Sequence, residues 1–265
     1  VITTKIAYLI NQRNVEPYSI LSVTFTKKAA NEMRERAIAL DQRAEASMIR
    51  TFHSFGSWFL RKFSSDVGLI PSFTVYDDSD MEVLLRKAIP SLNQKEAKLA
   101  AHQIALAKDY FLTPEDDLSI LGSELDINQI YYEYQKRLNA TGNVDFGDLI
   151  MLPAQIMNEY SDIENYIHNR FKVVMVDEYQ DSNIAQYKLL QKISGVEKNT
   201  GNYVCVVGDD DQSIYKFRGA EVQNILSFAE KFPGTEIIKL QTNYRSTEKI
   251  LDAASIVVQK NRNRL

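Results

Sequence analysis

The 265-residue chain has little from which to build a disulfide framework or a membrane anchor. Its one cysteine, Cys205, excludes an internal disulfide and fits a reducing compartment. It sits inside the apolar run "YVCVV", where a buried strand residue is expected. No apolar stretch approaches the roughly 20 residues that span a bilayer. The start, "VITTKIAYLINQR", has neither the basic leader nor the small-residue cleavage site of a signal peptide. A soluble cytoplasmic protein is expected, without a membrane partner. Positive charge is also not in excess. The formal net charge of −4 argues against whole-surface attraction to nucleic acid, though a local basic groove stays open. Finally, none of the ten glycines is followed by lysine, so the phosphate-cradling pattern G-x-x-x-x-G-K-[ST] is absent from these residues.

What is present is ordinary globular material. Hydrophobic residues make up 45%, enough for one large domain or two smaller ones with real cores. Five β-rich runs stand out: "SILSVTF" (19–25), "SMIRTF" (47–52), "KVVMVD" (172–177), "YVCVVG" (203–208) and "EIIKL" (236–240). Their apolar character is nearly continuous, as in parallel strands covered on both faces. Helical patterns fall between them, for example Ala29, Ala30, Met33, Ala37 and Leu40, or Phe55, Trp58, Phe59 and Phe63. Strands alternating with helices predict an α/β fold, with ligands beyond the carboxyl ends of the strands. The middle differs: from about 66 to 143 strand signal is scarce and helical stretches such as "QKEAKLAAHQIALAKDYF" abound. It reads as a helical subdomain inserted between the second and third strands. The acidic runs "DDSDME" and "PEDD" read as solvated faces or helix starts.

Chemistry-bearing residues gather at the strand ends. "VVMVDEYQDS" runs a buried strand into Asp177 and Glu178. Such a pair can hold Mg²⁺ and accept a proton from an attacking water, or can be two solvated loop acids. In "VVGDDDQSIYKFRGA", Gln212 could bridge a phosphate oxygen and a water. Tyr215 and Phe217, beside Arg218, could stack on bases or pack on a neighbouring helix. "LQTNYRS" offers Tyr244 as a flat face for a nucleobase and Arg245 as a charged fork for phosphate oxygens. "VTFTKKAANEMRER" places Thr24, Thr26, Lys27 and Lys28 at a helix start, where unpaired N–H groups attract phosphate. Phe25 there is two-sided: a base-stacking face, or a core residue.

The ordered set "TFTKKAANEMRERA", "RTFHSFGSWFLR", "VVMVDEYQDSN", "VVGDDDQSIYKFRGA" and "LQTNYRSTEKIL" resembles the superfamily 1 DNA helicases of the UvrD/Rep/PcrA type, over the whole chain. The resemblance implies a RecA-like P-loop NTPase sheet, domain 1A, from 1–66 and 144–240. It implies an all-helical subdomain 1B at 67–143 and the start of domain 2A at 241–265. It also implies an ATP-dependent 3′-to-5′ helicase that uses ATP and Mg²⁺, translocates on single-stranded DNA, and opens single-strand/duplex junctions in repair or replication. By position it assigns Asp177 to the metal, with Glu178 close by as activator of the attacking water. Gln212 is assigned to sensing the γ-phosphate, and Arg218 and Arg245 to stabilising the transferred phosphoryl group. Tyr244 would stack on adenine beside Arg245 and Gln212. Thr24, Phe25, Thr26, Thr51, His53, Tyr215 and Phe217 fall on the DNA path, though His53 also reads as a hydrogen-bonded structural histidine.

Three positions depart from the family pattern. Gly147 stands for an aspartate in "VDFGDLI", Phe217 for a tryptophan and Lys27 for an asparagine. Any role of the first segment then rests on Asp145 and Asp148. With "VITTKIAYLI" resembling the helix after the missing loop, the chain is expected to be an N-terminal piece that is inactive alone. Two other classes compete: a non-catalytic DNA-binding or protein-interaction module on a decayed helicase domain, and a Mg²⁺-dependent nuclease using Asp177, Glu178 and Asp209 to Asp211.

Overall fold

The computed structural model describes residues 1–213 and 221–258. At its centre is a four-stranded, all-parallel sheet in the order β2-β1-β5-β6, formed by β1 (Ile20–Thr24), β2 (Met48–Thr51), β5 (Val173–Val176) and β6 (Tyr203–Val206). The other pair, β3 (Val75–Tyr76) and β4 (Val144–Asp145), makes a separate two-stranded parallel ladder.

Both faces of the large sheet are covered, which is why its central strands read as unbroken apolar runs. Ile20, Val173 and Met175 point to one side, where they pack with Ile6 and Ile10 of α1 (Ile2–Gln12) and Met33 and Ala37 of α2 (Lys27–Leu40). Leu21, Val23, Val174 and Val176 point to the other. There they meet Phe55 and Phe59 of α3 (Phe52–Lys62), Ile150 and Met157 of α7 (Asp148–Glu159), Ile167 of α8 (Ser161–Arg170) and Leu189 of α9 (Ile184–Ser194). Each such fully buried side chain contributes about 1.5–3 kcal/mol of transfer free energy. Gly56 allows α3 to approach α7 so closely that a Cβ there would lie 1.6 Å from the Leu149 carbonyl oxygen.

Between β3 and β4 the chain forms α4 (Asp78–Ala88), α5 (Gln94–Asp109) and α6 (Ile127–Ala140). These helices share a core of their own, including Leu85, Ala97, Ile104, Tyr134 and Leu138. The acidic run before α4 is a helix start: Asp77 caps it and Asp80 closes a reciprocal capping box.

Two expectations are corrected. Residues 236–240 form no strand, and Ile237, Ile238 and Leu240 are exposed. A β-prone run becomes a strand only through a hydrogen-bonded neighbour, and among the described residues none pairs with it. Helix periodicity at 222–229 likewise predicts one helix, whereas the chain breaks at Ser227 into α10 (Gln223–Leu226) and α11 (Phe228–Lys231). The last described element is α12 (Glu248–Val258). Cys205 does lie in a strand, but it is half-buried because β6 is an edge. Among the described residues no helix is long and apolar enough to cross a membrane.

Candidate functional site

The sheet changes direction between β1 and β5, since the chain leaves β1 toward β2 on one side and resumes at β5 on the other. Ligands of open α/β sheets sit in the crevice beyond the carboxyl ends at such a switch point. The turn after β1 holds Phe25 and Thr26, and the turn after β5 holds Asp177 and Glu178. The Asp177 amide donates to the Val23 carbonyl at 3.0 Å, which locks the two turns side by side.

Burial, and then the Glu178 carboxylate, raise the pKa of Asp177 above its ordinary value. Glu178 has φ of 52°, a left-handed conformation that costs a non-glycine residue about 1–2 kcal/mol. This turns its side chain into solvent at the rim rather than along the strand.

A second turn meets the first. Tyr179 N–H donates to the Val207 carbonyl at 2.9 Å, joining the loop after β5 to the one after β6. Gln212 is exposed, and its Nε2 donates to Asp209 Oδ2 at 2.5 Å. Asp209 Oδ1 also accepts from the Asp211 backbone. The carboxylates of Asp209, Asp210 and Asp211 come within 4.8 Å of one another, but Asp209 is already engaged by these two donors.

The residues expected on a DNA path gather at the ends of β1 and β2, where Thr24 and Thr51 are ladder partners. Both are buried. Thr51 caps α3 by accepting from Ser54 N at 3.1 Å, and Thr26 caps α2 by accepting from Ala29 N at 3.1 Å. Phe25 is half-buried, its ring 5.6 Å from that of Phe52. His53 is held below its ordinary pKa by burial, and its ring meets Phe146 edge-on at 5.9 Å. Phe146, 52% exposed, was not among the sequence candidates. The signal was present as an aromatic in the polar turn "VDFGD", but only the packing of α3 on α7 sets it beside His53.

Other candidates are not brought in. Tyr244 is 93% exposed and Arg245 is exposed too. Among the described residues no hydrogen bond, ion pair or ring contact joins either to Asp177 or Glu178. Tyr215, Phe217 and Arg218 lie outside the described residues. Asp145 and Asp148 are not at the rim at all: both are buried against Lys108.

A long cleft of about 560 Å³ lies along α3, lined by Arg50, Ser54, Ser57, Trp58, Arg61 and Lys62. Two of its cations are already engaged. Arg61 donates to the carbonyls of Pro71 and Phe73, and Lys62 lies over the rings of Phe63 and Tyr166.

The family model for the UvrD/REP helicase N-terminal domain matches residues 1–233. Curated proteins of Staphylococcus epidermidis and Staphylococcus aureus, each named ATP-dependent DNA helicase PcrA, are 38% identical to the chain over 272 aligned residues. Those alignments cover 100% of this chain and 37% of each relative.

Proposed function

Starting from a chain that belongs to the UvrD/REP helicase family, we propose that it forms the water- and metal-handling part of an ATP-driven DNA helicase. In this reading the intact gene product moves 3′-to-5′ along single-stranded DNA and separates strands at single-strand/duplex junctions. Residues 1–66 and 144–240 build the ATP-binding core, 67–143 the helical insertion, and 241–265 the approach to a second core. The observation that carries the reading is the placement of Asp177 and Glu178 at the β1/β5 switch point, joined through Val207 to the loop that holds Gln212.

The donor set fits a hard cation. Asp177 offers carboxylate oxygen at a half-buried position, and a divalent ion would offset the burial and the Glu178 charge that together raise its pKa. Mg²⁺, when bound, neutralises charge on the β- and γ-phosphates. Glu178 accepts the proton of the attacking water, and Gln212 reads the γ-phosphate. Arg218 and Arg245 steady the transferred phosphoryl group, and Tyr244 stacks on adenine. Thr24, Phe25, Thr26, Thr51, His53, Tyr215 and Phe217 mark the DNA path in this reading, with Thr24, Thr51 and His53 near the DNA backbone and the rings of Phe25, Tyr215 and Phe217 toward bases.

The 265 residues contain no glycine-lysine loop, so we assign them no phosphate cradle and no turnover by themselves. The test is ATP hydrolysis with and without single-stranded DNA, together with strand separation on a tailed duplex. The intact gene product should show DNA-stimulated hydrolysis and unwinding from a 3′ tail, and residues 1–265 alone should show neither. An intact product that hydrolyses ATP no faster with DNA, or opens no duplex, overturns the reading.

A further inference from the structure

We propose that Gln180 is the positioning residue of this site: it holds the Glu178 carboxylate in place and ties it to the γ-phosphate-sensing turn. The inference rests on the reading of Glu178 given above. Gln180 is 2% exposed, whereas Glu178 lies at the rim. Its Nε2 donates to Glu178 Oε2 at 2.9 Å, while its Oε1 accepts from the Asp209 backbone N–H at 3.1 Å. Because an N–H can only donate, this second bond fixes which end of the amide faces Glu178. Ser213 Oγ adds a bond to the Gln180 carbonyl at 3.3 Å.

The close fit is selected by a glycine. A Cβ at Gly208 would stand 2.6 Å from Gln180 Oε1 and 2.9 Å from Ile225 Cδ1, so a larger residue there would displace the buried amide. Asp209 in turn accepts from Gln212. The chain of contacts therefore runs from the Glu178 carboxylate through the Gln180 amide to Asp209 and on to Gln212. An exposed glutamate in a left-handed backbone would otherwise sample many rotamers. One oxygen pinned by Gln180 leaves Oε1 to accept from water, and any shift of the Gln212 turn is passed back to the base. A water-activating group misplaced by about 1 Å loses on the order of 10²-fold in rate.

The test uses the intact gene product with single-turnover ATP hydrolysis, nucleotide affinity and thermal unfolding measured side by side. Gln180→Met keeps the length and removes both bonds. Gln180→Glu keeps an acceptor for Asp209 N–H but puts a carboxylate against Glu178, which serves as the second variant should Gln180→Met not fold. The expected result is a fall of about 10–100-fold in the hydrolysis step with nucleotide affinity within about threefold. In the Gln180→Met, Glu178→Gln double variant the rate should equal that of Glu178→Gln alone, because both lost bonds act on the hydrolysis step through the placement of that carboxylate. Wild-type hydrolysis in the folded Gln180 variants overturns the proposal, as does a loss that multiplies in full with that of Glu178→Gln. If Glu178→Gln itself turns over normally, the failure lies in the underlying reading of Glu178 instead.

Discussion

Lys108 and Asp145 form an ion pair in the interior, Nζ to Oδ2 at 2.6 Å, with both side chains only 1% exposed. Asp148 takes a second bond from the same ammonium at 2.7 Å, and Tyr134 donates to Asp145 at 2.9 Å. Burial opposes the charge on Lys108, but the two carboxylates outweigh it and hold its pKa above the ordinary range. Lys108 closes α5 of the insertion, whereas Asp145 and Asp148 belong to β4 and the start of α7. The cluster thus fastens α5 to β4 and α7. It also explains Gly147, since a Cβ there would lie 2.6 Å from Lys108 Cδ and 2.7 Å from its Cβ.

Lys108→Met should therefore destabilise the fold by about 3–5 kcal/mol, because it strands two buried carboxylates. Adding Asp145→Asn and Asp148→Asn should recover part of that loss, since an apolar or neutral replacement of a buried ion cluster is tolerated better than half of one. Urea unfolding of the single and triple variants measures both. A single variant within about 0.5 kcal/mol of the parent protein, the range of ordinary surface changes, would show that the cluster does not hold the insertion.

The residue after Lys108 makes a different prediction. Asp109 accepts from Asn183 Nδ2 at 2.6 Å, linking the insertion to the cap of α9. Burial pushes its pKa from 3.8 up to about 7. A carboxyl that binds its proton more tightly when folded adds stability at low pH and loses it as pH rises between those two values. Stability should fall by on the order of 2 kcal/mol across that window, allowing for partial solvent access. Asp109→Asn keeps the acceptor oxygen and removes the ionisation, so it should flatten the slope. Denaturation at pH 5 and pH 8 decides it, and an unchanged slope in Asp109→Asn would assign the effect elsewhere.

How much of this was legible in sequence follows from what each feature depends on. The four paired strands and the acid pair after β5 are local patterns: an unbroken apolar run, then charge. The run 236–240 carries the same pattern and fails as a strand, because pairing is a property of two segments and the pattern belongs to one. Lys108 lies in a stretch that reads only as helical, and its burial arises when distant segments meet. Gln180 and Phe146 look like common loop residues until Gly208 and Gly56 let neighbouring elements close on them. Asp145 and Asp148, on which any role of their segment rested, prove to be a buried tie to Lys108.

Glu178→Gln in the intact gene product should leave nucleotide binding nearly intact and lower hydrolysis by about 10²–10⁴-fold, the usual contribution of a general base. The fold should hardly change, because the carboxylate is at the rim and the amide keeps an oxygen for Gln180 Nε2. Binding and turnover measured on one preparation separate the two effects. Near-normal turnover would remove Glu178 from the proton-accepting role.

Tyr244 permits a cleaner separation of stability from binding, because it is 93% exposed. Truncating a side chain with almost no buried area removes almost no transfer free energy, so Tyr244→Ala should leave thermal unfolding of residues 1–265 unchanged. If the ring is the platform for adenine, the same change in the intact gene product should weaken nucleotide binding by about 1–3 kcal/mol, as base–aromatic contacts do elsewhere. The loss should be larger for ATP than for inorganic triphosphate, which has no base to stack. Equal losses for both ligands would point to an effect on Arg245 next door, the proposed phosphate fork. No loss for either would leave this exposed ring outside the site altogether.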